Sequence, residues 1–178
     1  APNHTAAEVH DFGLLASDTG SFSRSLREQN LSTNGAGNPA SEDWFRFRLD
    51  RAQFARITVR PTGGIYINGS QTSMCVSDNL MTEQAQTAGD LALEVYNGAD
   101  LANPIGTFFS TGGPGVIEEI RFSSSTDDLN PGEYFIRVRD LGPNPNPLKP
   151  VQLYDLEIRL GDPELVASQT PFAPVAVA

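Results

Sequence analysis

The sequence predicts an all-β fold, an antiparallel, jelly-roll-like β-sandwich of about eight to ten strands. Apolar and polar residues alternate along most of the chain, which is typical of strands with one buried face. Sixteen glycines and 13 prolines among 178 residues supply many turns. Helical periodicity is nearly absent, and only residues 79–88 are expected to form one short turn of helix.

The alternating segments follow one another between turn signals. The clearest is residues 154–160, where every second side chain is apolar. Residues 44–49 and 54–60 are separated by a short turn, so we expect them to pair as a hairpin. The predicted strands are Val9–Leu15, Ser21–Leu26, Trp44–Leu49, Phe54–Arg60, Ile65–Asn68, Leu91–Tyr96, Ile105–Phe109, Val116–Phe122, Glu133–Arg139 and Val151–Leu160.

The segment SEDWFRFRLD, residues 41–50, carries the candidate ligand site. Trp44, Arg46 and Arg48 share one face of the predicted strand because they are two residues apart. An exposed tryptophan beside arginines forms a platform on which a sugar ring or an anion can bind. Alternatively, Trp44 only covers the end of the core. The arginines of the predicted hairpin, Arg46, Arg48, Arg56 and Arg60, then pair with carboxylates such as Glu94, Glu119 and Glu157 across the sheet.

Several segments together resemble one family. They are similar, in order, to the strand motifs of bacterial pre-peptidase C-terminal domains, and the resemblance covers residues 6–161. The segments are DFGLL at 11–15, DWFRF at 43–47, DLALEVYNG at 90–98, LNPGEYFIRV at 129–138 and YDLEIRL at 154–160. The resemblance implies that residues 1–162 form a β-sandwich module. Residues 163–178 look like a linker and the start of a polycystic-kidney-disease-type Ig-like module.

This resemblance also implies a function. Modules of this family are not catalytic, and some of them bind collagen and carry calcium. We expect a binding or spacer module of a secreted or cell-surface multidomain protein, with a polysaccharide or an extracellular structural protein as partner beside the neighbouring domains of its chain. One alternative is the accessory domain of a secreted peptidase or glycosidase whose catalytic domain is absent here. Another is a purely structural segment of an adhesin or cell-envelope protein.

Calcium, if bound, is expected at Glu42 and Asp43. The resemblance implies this site, because Asp43 matches a carboxylate of the family's loop just before the aromatic strand and Glu42 stands beside it. Calcium takes six to eight oxygen ligands. The other interpretation is that Asp43 caps the strand end while Glu42 stays in water.

Other functions are excluded by composition. A net charge of −10 disfavours nucleic-acid binding, and no apolar run approaches the ~20 residues of a membrane span. Cys75 is alone, so it is either a semi-buried thiol or half of an intermolecular bridge. His4, expected in a frayed terminus, and His10 are the two histidines, and no catalytic motif accompanies them. We therefore expect no enzymatic activity.

Overall fold

The computed structural model describes residues 3–15, 22–32, 42–68, 81–109, 113–122, 129–141 and 151–161. Within these ranges the chain forms eleven strands and one short 3-10 helix, Ala85–Thr87. The strands are β1 His10–Leu14, β2 Phe22–Ser32, β3 Glu42–Leu49, β4 Phe54–Thr62, β5 Ile65–Asn68, β6 Met81–Gln84, β7 Leu91–Asn97, β8 Asp100–Phe109, β9 Glu118–Phe122, β10 Gly132–Asp140 and β11 Val151–Gly161.

Two sheets form the sandwich. The five-stranded sheet has the order β1-β3-β10-β7-β8, and the four-stranded sheet has the order β2-β11-β4-β9. Strands β5 and β6 form a separate two-stranded sheet. All neighbouring strands run antiparallel except β1 and β3, which are parallel. The prediction of an all-β sandwich is confirmed, with this parallel pair as the departure from a purely antiparallel arrangement.

The core lies between the two sheets and is built by alternation. Strand β11 buries Tyr154, Leu156, Ile158 and Leu160 completely, at every second position. The facing strand β3 contributes Phe45 and other apolar side chains to the same cluster. Each such residue stabilises the fold by roughly 1.5–3 kcal/mol of transfer free energy. We call the core side of each sheet its inner face and the opposite side its outer face.

The predicted hairpin of residues 44–49 and 54–60 is wrong. Strand β3 belongs to the five-stranded sheet, whereas β4 lies in the four-stranded sheet between β11 and β9. The connection at residues 50–53 crosses from one sheet to the other, where Gln53 exchanges two backbone hydrogen bonds of 2.9 Å with Leu129. Both strands therefore turn their apolar positions toward one shared core, and their arginines lie on opposite outer faces.

The helical turn expected at residues 79–88 is replaced mainly by a strand. Residues 81–84 form β6, which pairs antiparallel with β5. Only Ala85–Thr87 is helical, as a single 3-10 turn. Ala85 is 2% exposed and packs below Gly63, whose φ of +100° requires glycine.

Some predictions concern residues outside the described ranges. Cys75 and the tail, residues 163–178, are among these, so the expectations for them stay predictions. In the described part of the chain, no helix is long and apolar enough to cross a membrane.

Tyr134 tests the core. Its ring stacks on Phe47 with centroids 5.4 Å apart, it is 2% exposed, and its hydroxyl donates to the Asn130 carbonyl at 2.7 Å. Tyr134→Ala is expected to lower the free energy of unfolding by about 3–5 kcal/mol. Tyr134→Phe, which removes the hydroxyl and keeps the ring, should cost about 1 kcal/mol. Urea denaturation measures both, and a loss below about 1 kcal/mol for the alanine variant would contradict the packing described.

Candidate functional site

Strand β3 places the three predicted ligand residues in one row on the outer face of the five-stranded sheet. The odd-numbered residues from Phe45 to Leu49 enter the core, so Trp44, Arg46 and Arg48 point outward. Accessibility increases along the row. Trp44 is 8% exposed, and the Arg46 and Arg48 side chains are 34% and 53% exposed.

Trp44 belongs to a second aromatic cluster on this outer face. Its ring centroid lies 5.4 Å from that of Tyr96, and Phe135 completes the cluster. Ala6 and Val9 of the N-terminal segment pack over these rings. Trp44 is therefore not the exposed platform that the ligand-binding interpretation requires, and it does not close the end of the main core either.

The N-terminal segment is attached to β3 beside this cluster. The Trp44 backbone N–H donates to the Asn3 carbonyl at 2.7 Å, and the Asn3 side-chain amide donates to the Trp44 carbonyl at 3.4 Å. His4 Nδ1 lies 3.1 Å from the Glu42 carbonyl. Because a carbonyl only accepts, this nitrogen carries hydrogen in the contact. The frayed terminus expected around His4 is thus wrong for this residue.

A charged network surrounds the Trp44 cluster. Glu94, 4% exposed, accepts from Tyr96 at 2.8 Å and from Arg139 at 3.0 Å, and it lies 3.3 Å from Arg137. The Arg137 guanidinium also pairs with Glu42 and stands 5.5 Å from the centroid of the Trp44 ring. Glu94 and Glu42 offset the free-energy cost of partly removing Arg137 and Arg139 from water. Ion pairs therefore hold this part of the outer face together.

Arg46 and Arg48 have other partners. Asp11 of β1 pairs with Arg46 at 2.6 Å and lies 3.9 Å from Arg48. Glu133 of β10 is 3.6 Å from Arg46. The hydrogen bond from Arg46 lowers the pKa of Asp11. The sequence interpretation expected carboxylates such as Glu94, Glu119 and Glu157 here. The predicted pair of Arg56 with Glu119 forms on the other sheet, whereas Arg46 and Arg48 contact Asp11 and Glu133 because β3 and β4 lie in different sheets.

The two predicted calcium ligands point in opposite directions. Glu42 lies on the outer face, where it accepts from the Trp44 indole at 3.3 Å and pairs with Arg137. Asp43 is 3% exposed and lies on the core side of β3. Adjacent residues of a strand face opposite ways, so the structure does not bring these carboxylates together. Within the described ranges, no group of three or more His, Cys, Asp and Glu residues is placed to hold a metal ion.

Asp43 instead forms a buried polar contact that the sequence interpretation missed. The Tyr154 hydroxyl donates to its carboxylate at 2.6 Å, and His4 Nδ1 lies 3.6 Å from the other oxygen. Burial raises the pKa of Asp43 to about 6, although the Tyr154 hydrogen bond and His4 act in the opposite direction. A signal was present, because Asp43 stands at the same parity as the core residues Phe45 and Phe47.

This contact does not form an accessible reaction site. Tyr154 is 0% exposed. Burial and the neighbouring Asp43 raise the pKa of its hydroxyl well above the ordinary value. A substrate therefore has no access to the phenol. The second histidine, His10, lies edge-on against Phe12 with ring centroids 5.2 Å apart. The Asp43 carboxyl can bind and release a proton, and its buried position indicates a structural role.

Comparisons with known proteins give similarities to solved structures. No protein-family model matches the chain, and no curated protein matches it. The chain is similar to the pre-peptidase C-terminal domain of a collagenase from Bacillus anthracis, with 15% identity and a TM-score of 0.38 over 86% of this chain and 93% of that one.

Two further similar structures are a periplasmic inhibitor of g-type lysozyme from Aeromonas hydrophila and a family 35 carbohydrate-binding module from Clostridium thermocellum. The inhibitor is 11% identical with a TM-score of 0.37, over 86% of this chain and 96% of its own. The carbohydrate-binding module is 11% identical with a TM-score of 0.33, over 80% and 92%. The resemblance of residues 163–178 to an Ig-like module finds no support in these comparisons.

The pH dependence of stability tests the Asp43 contact. The pKa of the Asp43 carboxyl is about 6 in the folded protein, against 3.8 for an aspartate in water. The protonated carboxyl therefore contributes its full stabilisation below pH 3.8. That contribution, about 3 kcal/mol, is lost as the pH rises through 6. Urea denaturation measures the free energy of unfolding of wild type and of Asp43→Asn. The value for wild type, relative to that for the variant, should fall by about this amount from pH 4 to pH 7. The control is Asp11→Asn, because the pKa of Asp11 is lowered by its contact with Arg46. Its stabilising contribution is present above pH 3.8 and is lost only at lower pH, so the difference for this variant should stay nearly constant from pH 4 to pH 7. A constant difference for Asp43 would contradict the burial.

Glu94 tests the charged network. Glu94→Gln removes the carboxylate shared by Arg137 and Arg139 and leaves both partly buried guanidinium groups less compensated. We expect a loss of about 2–4 kcal/mol in the free energy of unfolding. The matched control is Glu133→Gln, whose side chain is 40% exposed and 3.6 Å from Arg46, with an expected loss below about 1 kcal/mol. The free energy of unfolding of both variants is measured by thermal and urea denaturation. An equal loss for Glu94→Gln and Glu133→Gln would contradict the role assigned to Glu94.

Proposed function

We propose that this chain is a non-catalytic module that binds a polysaccharide and belongs to a secreted or cell-surface multidomain protein. The observation that carries the proposal is the row Trp44, Arg46, Arg48 along β3, which becomes progressively more accessible on an open sheet face. The family resemblance of residues 6–161 supports the same class of function.

The accessible end of this row offers both kinds of hydrogen-bonding group. Arg46 and Arg48 donate, and Asp11 and Glu133 accept, within one strip formed by β1, β3 and β10. Sugar hydroxyl groups both donate and accept, so a chain lying along the strip can exchange its hydrogen bonds with water for bonds to these side chains. Trp44 contributes indirectly in this arrangement, because its ring supports Arg137 while Ala6 and Val9 cover it.

A second candidate is a purely structural spacer. It is favoured by the pairing on the outer face of the five-stranded sheet, where Arg46, Arg137 and Arg139 already contact carboxylates. The accessory domain of a secreted hydrolase is compatible with either role, and an extracellular structural protein is the other ligand class.

A binding screen tests the proposal. Wild-type protein is passed over immobilised polysaccharides and collagen, and affinity is measured for any ligand retained. Arg46→Gln/Arg48→Gln is expected to weaken polysaccharide binding about tenfold because several exposed hydrogen bonds are lost. Arg51→Gln, an exposed arginine in the connection between β3 and β4, is the control for a surface arginine. Retention of collagen alone, or of no ligand, would overturn polysaccharide binding and favour the structural-protein ligand or the spacer.

The same screen has a calcium arm. Binding and melting temperature are measured in millimolar calcium and in EDTA, with Glu42→Gln as the variant. A calcium-dependent rise in melting temperature that this variant abolishes would support a site at Glu42. Because the Asp43 carboxylate faces the core, we expect equal melting temperatures in calcium and EDTA.

A further inference from the structure

Residues 4–9, which precede β1, form a flap over the outer face of the five-stranded sheet. The flap is attached to β3 at both ends. Before it, the Asn3 carbonyl accepts from the Trp44 backbone N–H at 2.7 Å, and after it, His10 pairs in register with Phe45. Because these two attachments lie at neighbouring positions of β3, the residues between them bulge away from the strand and return to it.

The flap covers three aromatic rings with small side chains. The rings are those of Trp44, Tyr96 and Phe135, which are 8%, 3% and 6% exposed. Ala6 and Val9 are the flap side chains that pack against them. Because an alanine and a valine bury little apolar area, a ligand that covers the rings equally well can replace them.

The hydrogen bonds of the flap allow it to move as a unit. The Glu8 backbone N–H donates to the Thr5 carbonyl at 3.0 Å, and the Thr5 hydroxyl donates to the Glu8 carboxylate at 3.4 Å. Both bonds lie within the flap and stay intact when it lifts. The contact of His4 with the Glu42 carbonyl at 3.1 Å joins the first flap residue to β3, where it can serve as part of the hinge.

The covered rings continue the strip that contains Arg46 and Arg48. Phe135 of β10 is directly opposite Arg46 of β3, and Tyr96 of β7 is directly opposite Phe135. Trp44 stands two residues before Arg46 on the same face. An open flap therefore joins an aromatic surface to the hydrogen-bonding groups of the strip. A sugar ring requires both, because it has apolar C–H faces and hydroxyl groups at its edge.

We propose that this flap opens and that a sugar ring of the bound polysaccharide then stacks on Trp44 in place of Ala6 and Val9. The proposal rests on the proposed polysaccharide-binding function and adds an autoinhibitory flap and a stacking position to the same site. The ligand class that fits is a glucan of the cellulose type. Its hydroxyl groups are equatorial, so C–H groups form both faces of each ring and can cover the indole.

A flap that is mostly closed lowers the apparent affinity for such a ligand. The apparent dissociation constant equals the intrinsic one divided by the fraction of molecules in which the flap is open. A substitution that destabilises only the closed state removes this penalty and leaves the stacking position unchanged. Such a substitution is therefore expected to strengthen binding, which a general loss of structure would not do.

The experiment places a carboxylate on either side of the flap. Ala6→Asp directs it at the aromatic rings, whereas the matched control Ala7→Asp carries the same group at the exposed neighbouring position. Trp44 is the one tryptophan of the chain, so quenching of its fluorescence by acrylamide reports the opening directly. Calorimetry measures the binding of cellohexaose to wild type and to each variant, and circular dichroism establishes that each is folded.

Two further variants complete the experiment. Val9→Ala removes two methyl groups from the cover and introduces no charge, and it decides the question if Ala6→Asp fails to fold. Trp44→Ala, added to Ala6→Asp, removes the ring on which the sugar is proposed to stack.

Ala6→Asp should raise the acrylamide quenching constant severalfold and should bind cellohexaose about tenfold more tightly than wild type. Val9→Ala should change both quantities in the same direction, and Ala7→Asp should leave both unchanged. Cellohexaose should protect Trp44 of the Ala6→Asp variant from acrylamide. The gain in affinity should disappear when Trp44→Ala is added.

Equal quenching in Ala6→Asp and Ala7→Asp would overturn the flap, and this measurement requires no ligand. Raised quenching without a gain in affinity for cellohexaose, or a gain that survives Trp44→Ala, would overturn the stacking position. The proposed function would stand in each of these cases if another polysaccharide is retained and Arg46→Gln/Arg48→Gln weakens its binding. Absence of binding to every glycan, in wild type and in the variants with an open flap, would overturn both.

Discussion

The alternation of β3 between the two sides of its sheet is the constraint on which the rest of the structure depends. Phe45 and Phe47 are fully buried in the core, and their burial contributes roughly 1.5–3 kcal/mol each. A shift of the register by one residue would bring Trp44 and Arg46 into the core and expose both phenylalanines. The hydrophobic gain that holds the sheets together therefore also fixes which side chains reach the surface.

The same alternation places one carboxylate where water cannot reach it. Asp43 must face inward because Phe45, two residues along the strand, does so. The Tyr154 hydroxyl and His4 supply the polar partners that a buried carboxylate requires. This contact links β3 with β11 of the opposite sheet and with the N-terminal segment. Burial, rather than ligand binding, explains why an acidic residue at this position has a raised pKa.

Both outer faces carry clustered arginines, and carboxylates compensate the positive charge in a different arrangement on each face. On the five-stranded sheet, Glu94 and Glu42 surround Arg137, and the aromatic ring of Trp44 adds a further contact. Ala6 and Val9 of the N-terminal segment pack over the aromatic rings beside these pairs. On the four-stranded sheet, Glu119 pairs with both Arg56 and Arg121, and Glu157 pairs with Arg159.

The sequence by itself determined the fold class, most strand positions and the side of each strand that is buried, because period-two alternation is a local property. It also determined that Trp44, Arg46 and Arg48 share one face. Only the tertiary structure decided which strands are neighbours: β3 pairs with β10 and β1, not with β4, because the turn at residues 50–53 crosses between sheets. That choice separated Arg46 from Arg56 and brought Asp11 to Arg46. The cover over Trp44 and the His4–Asp43 contact also depend on long-range packing of the N-terminal segment, which leaves no periodic signal in the sequence.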